Sequence, residues 1–405
     1  MSAVLIRGGR LGLDPAAQVD LRLRDGRIVE LGSGLEAAAE DCVVDATGLW
    51  ILPGAIDNHV HFRDPGLTHK EDYGSGSRGA LRGGVTTVLE VQNNEPLLLD
   101  AQRCRSKVRD VGARSLVNFG IYPNLLEQTL GTALEMAPYA AGYKLYMGAS
   151  TGMGGQTDYG LMRELFRAAR KTERPLVLHC EEESVLSRAM RDSELGIHDH
   201  GSRARPPIAE VLSIAMAIEM AREWDTEIHV FHLSTMRGLE LISQARREGV
   251  RVSCSTCPHY LYFTEEDSGR LGNLLKVNPA IHGASDREAL LAGLAAGEIE
   301  VLSTDHAPHT LAEKERAYPD APAGIPSVDL LYPLLLTLVK KGSLTLERAI
   351  ESVTLAPARL HGLAERGSIR VGWHADLCLV DPERWKTVGK EDLSSRSGYT
   401  PYEGT

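Results

Sequence analysis

The sequence has no excess of basic residues, no long apolar run and few cysteines. Among its 405 residues, 44 Lys and Arg stand against 55 Asp and Glu, a formal net charge of −11. Because phosphate binding needs clustered basic side chains, this balance argues against a nucleic-acid partner. No apolar stretch approaches the ~20 residues that cross a membrane, and the apolar run near the N-terminus is too short for a signal peptide. The sequence therefore predicts a cytoplasmic protein without a membrane partner.

The six cysteines are too scattered to form a disulfide framework. Cys254 and Cys257 form a single CxxC pair, whereas zinc sites need a fuller set of ligands. We interpret this pair as small residues of a buried strand. The length of the chain allows one large domain and a smaller one.

Both ends of the chain carry short alternating segments with glycine-rich turns. The first fifty residues contain LIRGGRL, VDLRLRDGRIVEL and CVVDATGLWIL, and residues 367–381 read GSIRVGWHADLCLVD. Such segments are typical of β-strands. We predict a small β-sandwich formed from both termini, with residues 1–53 and 361–405 as its two parts.

Between the termini, short apolar runs alternate with helical segments. Eight runs are candidate strands: GAIDNHVH, VTTVLEVQN, SLVNFGIY, GYKLYMG, PLVLHCE, IHVFHLS, VRVSCSTCPH and IEVLSTDH. Eight strands alternating with helices predict a (β/α)8 TIM-like barrel over residues 54–360, with a doubly wound open sheet as the alternative.

Nearly every candidate strand ends in a chemically capable side chain, which favours the barrel and locates its site. These residues are His61, Asn93, Lys144, His179, His232, His259 and Asp305. In such barrels the active site lies at the carboxyl ends of the strands. Packing alone does not explain this repetition.

A metal centre is the function that these strand ends predict. His59 and His61 are two residues apart, so both imidazoles point to the same face of one strand. His179, His232 and Asp305 add ligands of the types that suit Zn²⁺, Mn²⁺ or Co²⁺. Any one of these histidines alone is more typical of a satisfied core residue, but the combination predicts a site.

Lys144 and Ser150 each allow two interpretations. A lysine inside the apolar strand GYKLYMG either faces outward or is carbamylated by CO₂, and the carbamate would bridge two cations. Residues 148–152 match G-x-S-x-G, which would make Ser150 the nucleophile of a serine hydrolase. That motif requires a helix immediately afterwards, and the sequence GMGGQTD disfavours one.

At these residues the chain resembles dihydroorotases and allantoinases of the amidohydrolase superfamily. The segment DNHVHFRDPGLTHKED (residues 57–72) resembles their first-strand signature, and YKLYMGASTG, HCEEES, FHLST, KVNPAI and STDHAPHT follow in the same order. The resemblance covers residue 50 to the end and is highly specific for the superfamily and fairly specific for dihydroorotases. Three features depart from the pattern: Asn94 replaces a common threonine, His282 replaces a basic residue, and the chain stops at Thr405, where relatives continue, so we expect a shortened β-sandwich.

The resemblance implies a set of site residues. Two zinc ions per chain would be bound and bridged by carbamylated Lys144, with ligands His59, His61, Lys144, His179, His232 and Asp305. Arg63, Asn93 and His309 would bind a substrate carboxylate, and Asn278 with the Ala323 and Gly324 backbone would hold the amide edge of the ring. Residues 310–322 correspond to a loop near the active site.

The implied reaction is the reversible hydrolysis of dihydroorotate to N-carbamoyl-aspartate in pyrimidine biosynthesis. A metal-bridged hydroxide would attack, and Asp305 would shuttle the proton. Alternatives are an allantoinase, a hydantoinase or dihydropyrimidinase, and a non-catalytic scaffold, although the complete ligand set argues against the scaffold. The resemblance also implies a homodimer.

Overall fold

The computed structural model describes residues 3–12, 14–39, 41–191 and 194–405. The strands within these residues are β1 (Val4–Leu11), β2 (Asp14–Arg24), β3 (Arg27–Gly32), β4 (Cys42–Asp45), β5 (Trp50–Pro53), β6 (Ala55–Val60), β7 (Val85–Val91), β8 (Asn118–Tyr122), β9 (Tyr143–Tyr146), β10 (Leu176–His179), β11 (Ile228–Val230), β12 (Val252–Thr256), β13 (Val301–Leu302) and β14 (Leu377–Val380).

The α-helices lie mainly between the barrel strands. They are α1 (Tyr73–Arg82), α2 (Ala101–Gly112), α3 (Ala133–Met136), α4 (Tyr159–Thr172), α5 (Glu183–Ala189), α6 (Pro207–Trp224), α7 (Met236–Arg247), α8 (Pro258–Tyr262), α9 (Ser268–Leu271), α10 (Ala284–Ala296), α11 (Leu311–Lys314), α12 (Leu331–Lys340), α13 (Leu346–Val353) and α14 (Leu355–Leu360). None of the described helices is both long enough and apolar enough to span a bilayer.

Local sequence fixes where these helices begin and end. The Asp158 side chain accepts a hydrogen bond of 3.0 Å from Leu161 N and caps α4. The same helix buries Leu165 and Phe166 against the strands and ends at Glu173, whose φ of 55° is left-handed. Thr235 caps α7 through a bond of 3.1 Å from Gly238 N, so a helix begins four residues after His232, which follows β11.

Strands β6 to β13 form the predicted closed barrel. Parallel pairing joins β6, β7 and β8 in one run and β9 to β13 in another. Lys144 N donates to Pro123 O at 2.9 Å and His61 N donates to His306 O at 2.7 Å, which joins the two runs at both edges. The prediction of a (β/α)8 barrel is confirmed, and these two junctions exclude the alternative of an open sheet.

A second sheet is built from both ends of the chain, as predicted. Its strand order is β14-β5-β1-β2-β3, with β4 also paired to β1. A small core that includes Leu21, Ile28 and Ile51 packs on this sheet. Residues 381–405 then leave the sheet and run along the barrel. There the Tyr402 ring packs on the Phe263 ring, with their centroids 5.1 Å apart.

An apolar plug fills the barrel beneath the carboxyl ends of the strands. It consists of Leu89, Val91, Tyr122, Tyr146, Val177 and Phe231. Phe231 stacks on the His59 imidazole with ring centroids 4.0 Å apart. The plug therefore forms the floor of the cavity into which the strand-end side chains point.

Candidate active site

A cavity at the carboxyl ends of the barrel strands collects nearly all predicted site residues. Its lining is formed by His59, His61, Arg63, Asn93, Lys144, Tyr146, Ser150, Thr151, His179, His232, Asn278, Asp305, Ala307, Ala323 and Gly324. His309 lies directly behind this wall, with its Nε2 atom 3.3 Å from Arg63 Nη2. His259, predicted to end a strand, lies instead in α8, after the end of β12 at Thr256, and is absent from the lining.

The first group of candidate ligands is His59, His61 and Asp305. The Nε2 atoms of the two histidines lie 3.2 and 3.3 Å from Asp305 Oδ1. His61 Nδ1 lies 2.8 Å from the Val91 carbonyl oxygen; a bond donated there leaves Nε2 with a free lone pair. Burial, and then the nearby Lys144, lowers the pKa of His59 well below its usual range. Neutral imidazole is the form that binds metal.

The second group is His179 and His232. His179 Nδ1 lies 3.1 Å from His232 Nε2, while His179 Nε2 lies 2.9 Å from a Glu181 carboxylate oxygen. A proton on Nε2 leaves the Nδ1 lone pair facing His232, as metal-binding histidines require. Burial disfavours charge on Glu181, but Arg205 and His179 outweigh it and lower the pKa of the carboxyl group.

Lys144 lies between these two groups and is 1% exposed. Its Nζ atom has no hydrogen-bond partner among the described residues and lies 4.6 and 4.7 Å from the ring centroids of Phe231 and Tyr146. Burial lowers the pKa of Lys144 to about 7. A buried ammonium group without a partner is unfavourable, so the neutral amine is readily reached.

Three site residues have a strained backbone. Arg63, His232 and Asp305 have φ values of 60°, 42° and 46°, a region that non-glycine residues rarely adopt. Such strain persists where the surroundings over-determine the conformation, and it is frequent at functional sites. The packing of the barrel therefore holds these three residues in backbone conformations that are locally unfavourable.

The donor set fits divalent metal ions. Among the described residues, His59 Nδ1, His232 Nδ1 and Lys144 Nζ are buried without a hydrogen-bond partner. Ligand atoms of His59, His61 and Asp305 lie within 4.8 Å of one another. Imidazole nitrogens with one carboxylate are typical of zinc and related metals.

Beside these candidate metal ligands, Arg63 forms a buried cationic pocket. Its Nη1 donates to Asn93 Oδ1 at 2.7 Å, and its Nε lies 3.4 Å from the Pro308 carbonyl oxygen. No carboxylate in the described part of the chain forms an ion pair with Arg63, which is 2% exposed. A buried guanidinium with only neutral partners retains an unneutralised charge.

His309 is held as a neutral imidazole in the same pocket. Lys70 Nζ lies 3.1 Å from Nδ1, and Nε2 lies 3.1 Å from the Ala323 carbonyl oxygen. An ammonium group can only donate, so Nδ1 accepts and the Nε2 proton goes to Ala323. Burial, Arg63 and Lys70 lower the pKa of His309 well below its usual range.

Asn278, Ala323 and Gly324 complete the lining of the cavity. Asn278 Nδ2 lies 3.5 Å from Ser150 Oγ, and its buried Oδ1 lacks a described partner. Gly324 has φ 148°, and a Cβ there would lie 2.3 Å from the Ala307 carbonyl oxygen. Only glycine fits this position. Its N–H already donates to Lys276 O at 2.9 Å, so it is not free for a substrate.

Comparisons with known proteins agree with this geometry. The amidohydrolase family profile matches residues 50–402. The chain belongs to the amidohydrolase family. It is 34% identical over 97% of its length to a Methanothermobacter thermautotrophicus protein named dihydroorotase, of which 88% is covered. A Halobacterium salinarum protein of that name is 35% identical, with 95% of this chain and 89% of the relative covered.

A solved structure is also similar to this amidohydrolase. The L-hydantoinase (dihydropyrimidinase) from Arthrobacter aurescens superposes with a TM-score of 0.93 at 29% identity, covering 100% of this chain and 92% of the other. Amidohydrolases of this family are metal-dependent, and the His59, His61 and Asp305 group is present here.

Several contacts of this amidohydrolase were not predicted from its sequence. Glu181, which orients His179, stands in the HCEEES block, and Lys70, which orients His309, ends LTHK. Both belong to motifs that resemble the family, but nothing in the spacing assigns their partners. Ser150 has no imidazole within hydrogen-bond distance among the described residues, and α4 begins only at Tyr159, so the serine-hydrolase alternative has no support.

Proposed function

We propose that this amidohydrolase is a dihydroorotase that reversibly hydrolyses dihydroorotate to N-carbamoyl-aspartate. One observation carries the proposal: the buried Arg63 guanidinium has no carboxylate partner in the described chain and lies beside the His59, His61 and Asp305 group. A ring carboxylate would neutralise Arg63 while the adjacent ring amide faces the metal ligands. The relatives named dihydroorotase support this assignment.

We further propose that His59, His61, Lys144, His179, His232 and Asp305 hold two zinc ions, with Lys144 carbamylated. The lowered pKa of Lys144 supports this, because only a neutral amine adds to CO₂. The carbamate would replace an unpartnered ammonium group with an anion facing four imidazoles. When bound, the metals supply Lewis acidity toward water and the scissile carbonyl.

Side chains of the protein position the substrate ring and transfer the proton of the attacking water. Asp305 Oδ1 lies 3.2 and 3.3 Å from the Nε2 atoms of His59 and His61. In our proposal Asp305 accepts the proton of the attacking water and delivers it to the ring nitrogen that leaves. In this proposal Arg63 and Asn93 hold the carboxylate, with His309 packed beside the Arg63 guanidinium, and this fixes the ring relative to Asp305.

Hydantoinase or dihydropyrimidinase activity is the second candidate, because the A. aurescens structure is so similar. Allantoinase activity is the other alternative that the sequence motifs leave open. Dihydroorotate carries a ring carboxylate that simple hydantoins and dihydropyrimidines lack. A site with a buried polar pocket for that group should reject ligands without it, because its partners would remain unpaired.

A side-by-side assay tests the assignment. The purified protein is given dihydroorotate, allantoin, hydantoin and dihydrouracil under identical conditions, and kcat/KM is compared. We expect a preference for dihydroorotate of at least ~10² over the carboxylate-free rings. A higher kcat/KM for any ring without the carboxylate would show that the pocket serves another substrate.

Three further proposals rest on the resemblance and the chain alone. The protein acts in the cytoplasm, forms a homodimer, and divides into residues 1–53, 54–360 and 361–405. The two boundaries between these ranges fall at the ends of elements, β5 at Pro53 and α14 at Leu360.

A further inference from the structure

Two buried lysines support the cavity wall from behind. Lys314, 1% exposed, ends α11, and Lys276 is 8% exposed. Neither forms an ion pair with a described carboxylate. Burial lowers the pKa of Lys314 well below its usual range and that of Lys276 to about 8. Burying two ammonium groups close together is unfavourable in free energy. The contacts that these groups make therefore indicate a specific role.

Both lysines donate to the backbone carbonyl oxygens of one segment. Lys314 Nζ lies 3.0 Å from Pro322 O and 3.0 Å from Gly324 O, and 3.2 Å from Lys276 O. Lys276 Nζ donates to Tyr318 O at 2.5 Å and to Ala321 O at 2.7 Å. We call residues 318–324 the strap. Four of its carbonyl oxygens are thus bound by lysine side chains.

The other surfaces of the strap face the substrate cavity and the C-terminal segment. On the cavity side, the Ala323 carbonyl oxygen accepts from Thr151 Oγ1 and His309 Nε2, both at 3.1 Å. On the outer side, the Tyr399 hydroxyl donates to the Gly324 carbonyl oxygen at 3.1 Å. The strap is therefore fixed between the predicted substrate pocket and the end of the chain.

The Lys314 ammonium group has as many hydrogen-bond donors as there are carbonyl oxygens around it. An ammonium group has three N–H donors, and three carbonyl oxygens surround Nζ. Removing this group would leave three buried carbonyl oxygens with fewer donors, and unsatisfied buried acceptors are costly. The strap would then shift toward another conformation, and Ala323 and Gly324 would leave their positions in the cavity wall.

We propose that Lys314 is a positioning residue that sets the substrate-facing strap, with Tyr399 as its outer support. The proposal deepens the function above, since it rests on the cavity binding a cyclic amide. Neither residue touches the metal ligands. Their loss should therefore weaken substrate binding and leave the chemical step and the metal content largely unchanged.

Lys314→Met tests the proposal, because methionine retains an unbranched apolar chain and removes the donors. KM and kcat are measured for whichever cyclic amide the unmodified enzyme hydrolyses best, together with bound metal per chain. We expect KM to rise about tenfold or more, kcat to stay within about threefold, and metal content to be unchanged. Tyr399→Phe, which removes one hydroxyl, should raise KM by a few fold.

Tyr332→Phe is the matched control, since its buried hydroxyl donates to the Pro53 carbonyl oxygen at the other end of the barrel. It should leave KM unchanged. The double variant of Lys314 and Tyr399 should be non-additive in KM, because both groups bind Gly324 O.

A fall in kcat at constant KM, a loss of metal, or an equal KM rise in Tyr332→Phe would overturn the proposal. Should Lys314→Met fail to fold, Tyr399→Phe decides alone: an unchanged KM refutes the role of the strap. The KM of each variant is compared with that of the original enzyme on whichever cyclic amide the enzyme hydrolyses best, so this comparison does not depend on the identity of the substrate. A poor rate with dihydroorotate would therefore refute the substrate assignment and not the role of Lys314.

Discussion

The protonation state of each side chain in this site determines which of its atoms can bind a metal ion. Glu181 and the Val91 carbonyl oxygen receive one ring proton each from His179 and His61, which leaves the opposite nitrogens free. Burial lowers the pKa of these histidines, and it lowers the pKa of Lys144 to about 7. At neutral pH the candidate ligand histidines therefore offer lone pairs rather than positive charges, and Arg63 carries the positive charge of the cavity.

Replacing Lys144 tests the metal bridge. Lys144→Ala should lose most of its metal and reduce turnover by at least ~10², because the proposed bridging anion is removed. Metal analysis of the purified protein and a steady-state assay measure both effects. Lys171→Ala, an exposed lysine on α4, serves as the control. A Lys144→Ala protein with full metal content and turnover would show that the side chain has no bridging role.

Replacing Arg63 tests the carboxylate pocket. Arg63→Met removes the buried charge, so the kcat/KM for dihydroorotate should fall by about 10–10²-fold, equivalent to one or two charge-assisted hydrogen bonds. Activity on a ring without the carboxylate should change far less. The exposed Arg109→Met variant is the control. Equal losses on both kinds of ring would place the carboxylate elsewhere.

At the scale of elements, strand ends carry the ligands and helices orient the loops that follow. Glu210 of α6 illustrates this. Its carboxyl group accepts hydrogen bonds from Ser234 N and Ser234 Oγ at 3.0 Å and from the Thr235 hydroxyl. These two residues follow the candidate ligand His232, so α6 fixes the loop between β11 and α7.

Glu210 also predicts a pH dependence of stability. Burial raises the pKa of its carboxyl group from 4.5 to about 8. Between these pH values the folded state holds a proton that the unfolded state releases, so this group makes the free energy of unfolding fall as pH rises. Glu210→Gln removes the effect. The melting temperature of Glu210→Gln, relative to that of the protein without the substitution, should rise steadily from pH 5 to pH 8.

Thermal unfolding at several pH values measures this difference, which corresponds to at most a few kcal/mol. Glu219→Gln, at an exposed position on the same helix, should show a constant difference instead. If the Glu210→Gln difference is also constant with pH, the carboxyl group is not protonated in the folded state.

At the scale of the whole molecule, the proposed metal ligands join strands from most of the barrel. They lie in β6, β9 and β10 or follow β6, β11 and β13, and His61 also lies at the junction that closes the barrel. Bound metal would therefore cross-link parts of the chain that are distant in sequence. The terminal sheet and its own small core contribute no ligand.

Metal removal should destabilise the barrel. Treatment with a chelator is expected to lower the melting temperature by several degrees, and added Zn²⁺ should restore it, because a ligand that binds only the folded state stabilises it. The Lys144→Ala protein provides the comparison, since its melting temperature should respond little to the chelator. An identical melting temperature with and without metal would argue against a site in the folded state.

Sequence by itself determined the eight barrel strands, the strand-end position of His59, His61, Lys144, His179, His232 and Asp305, and the terminal sheet. These follow from local periodicity, and a parallel barrel brings all strand ends to one face. Family motifs added Arg63, Asn93 and His309.

Only the tertiary structure decided the partners of those residues. Glu181 with His179, Lys70 with His309, Glu210 with Ser234, and Lys314 with the strap are contacts between side chains and groups brought together by folding. It also showed that Gly324 N–H is already bonded and that residues 381–405 run along the barrel rather than extend the sheet. Hydrogen-bond partners and burial depend on packing between distant segments, which local patterns do not encode.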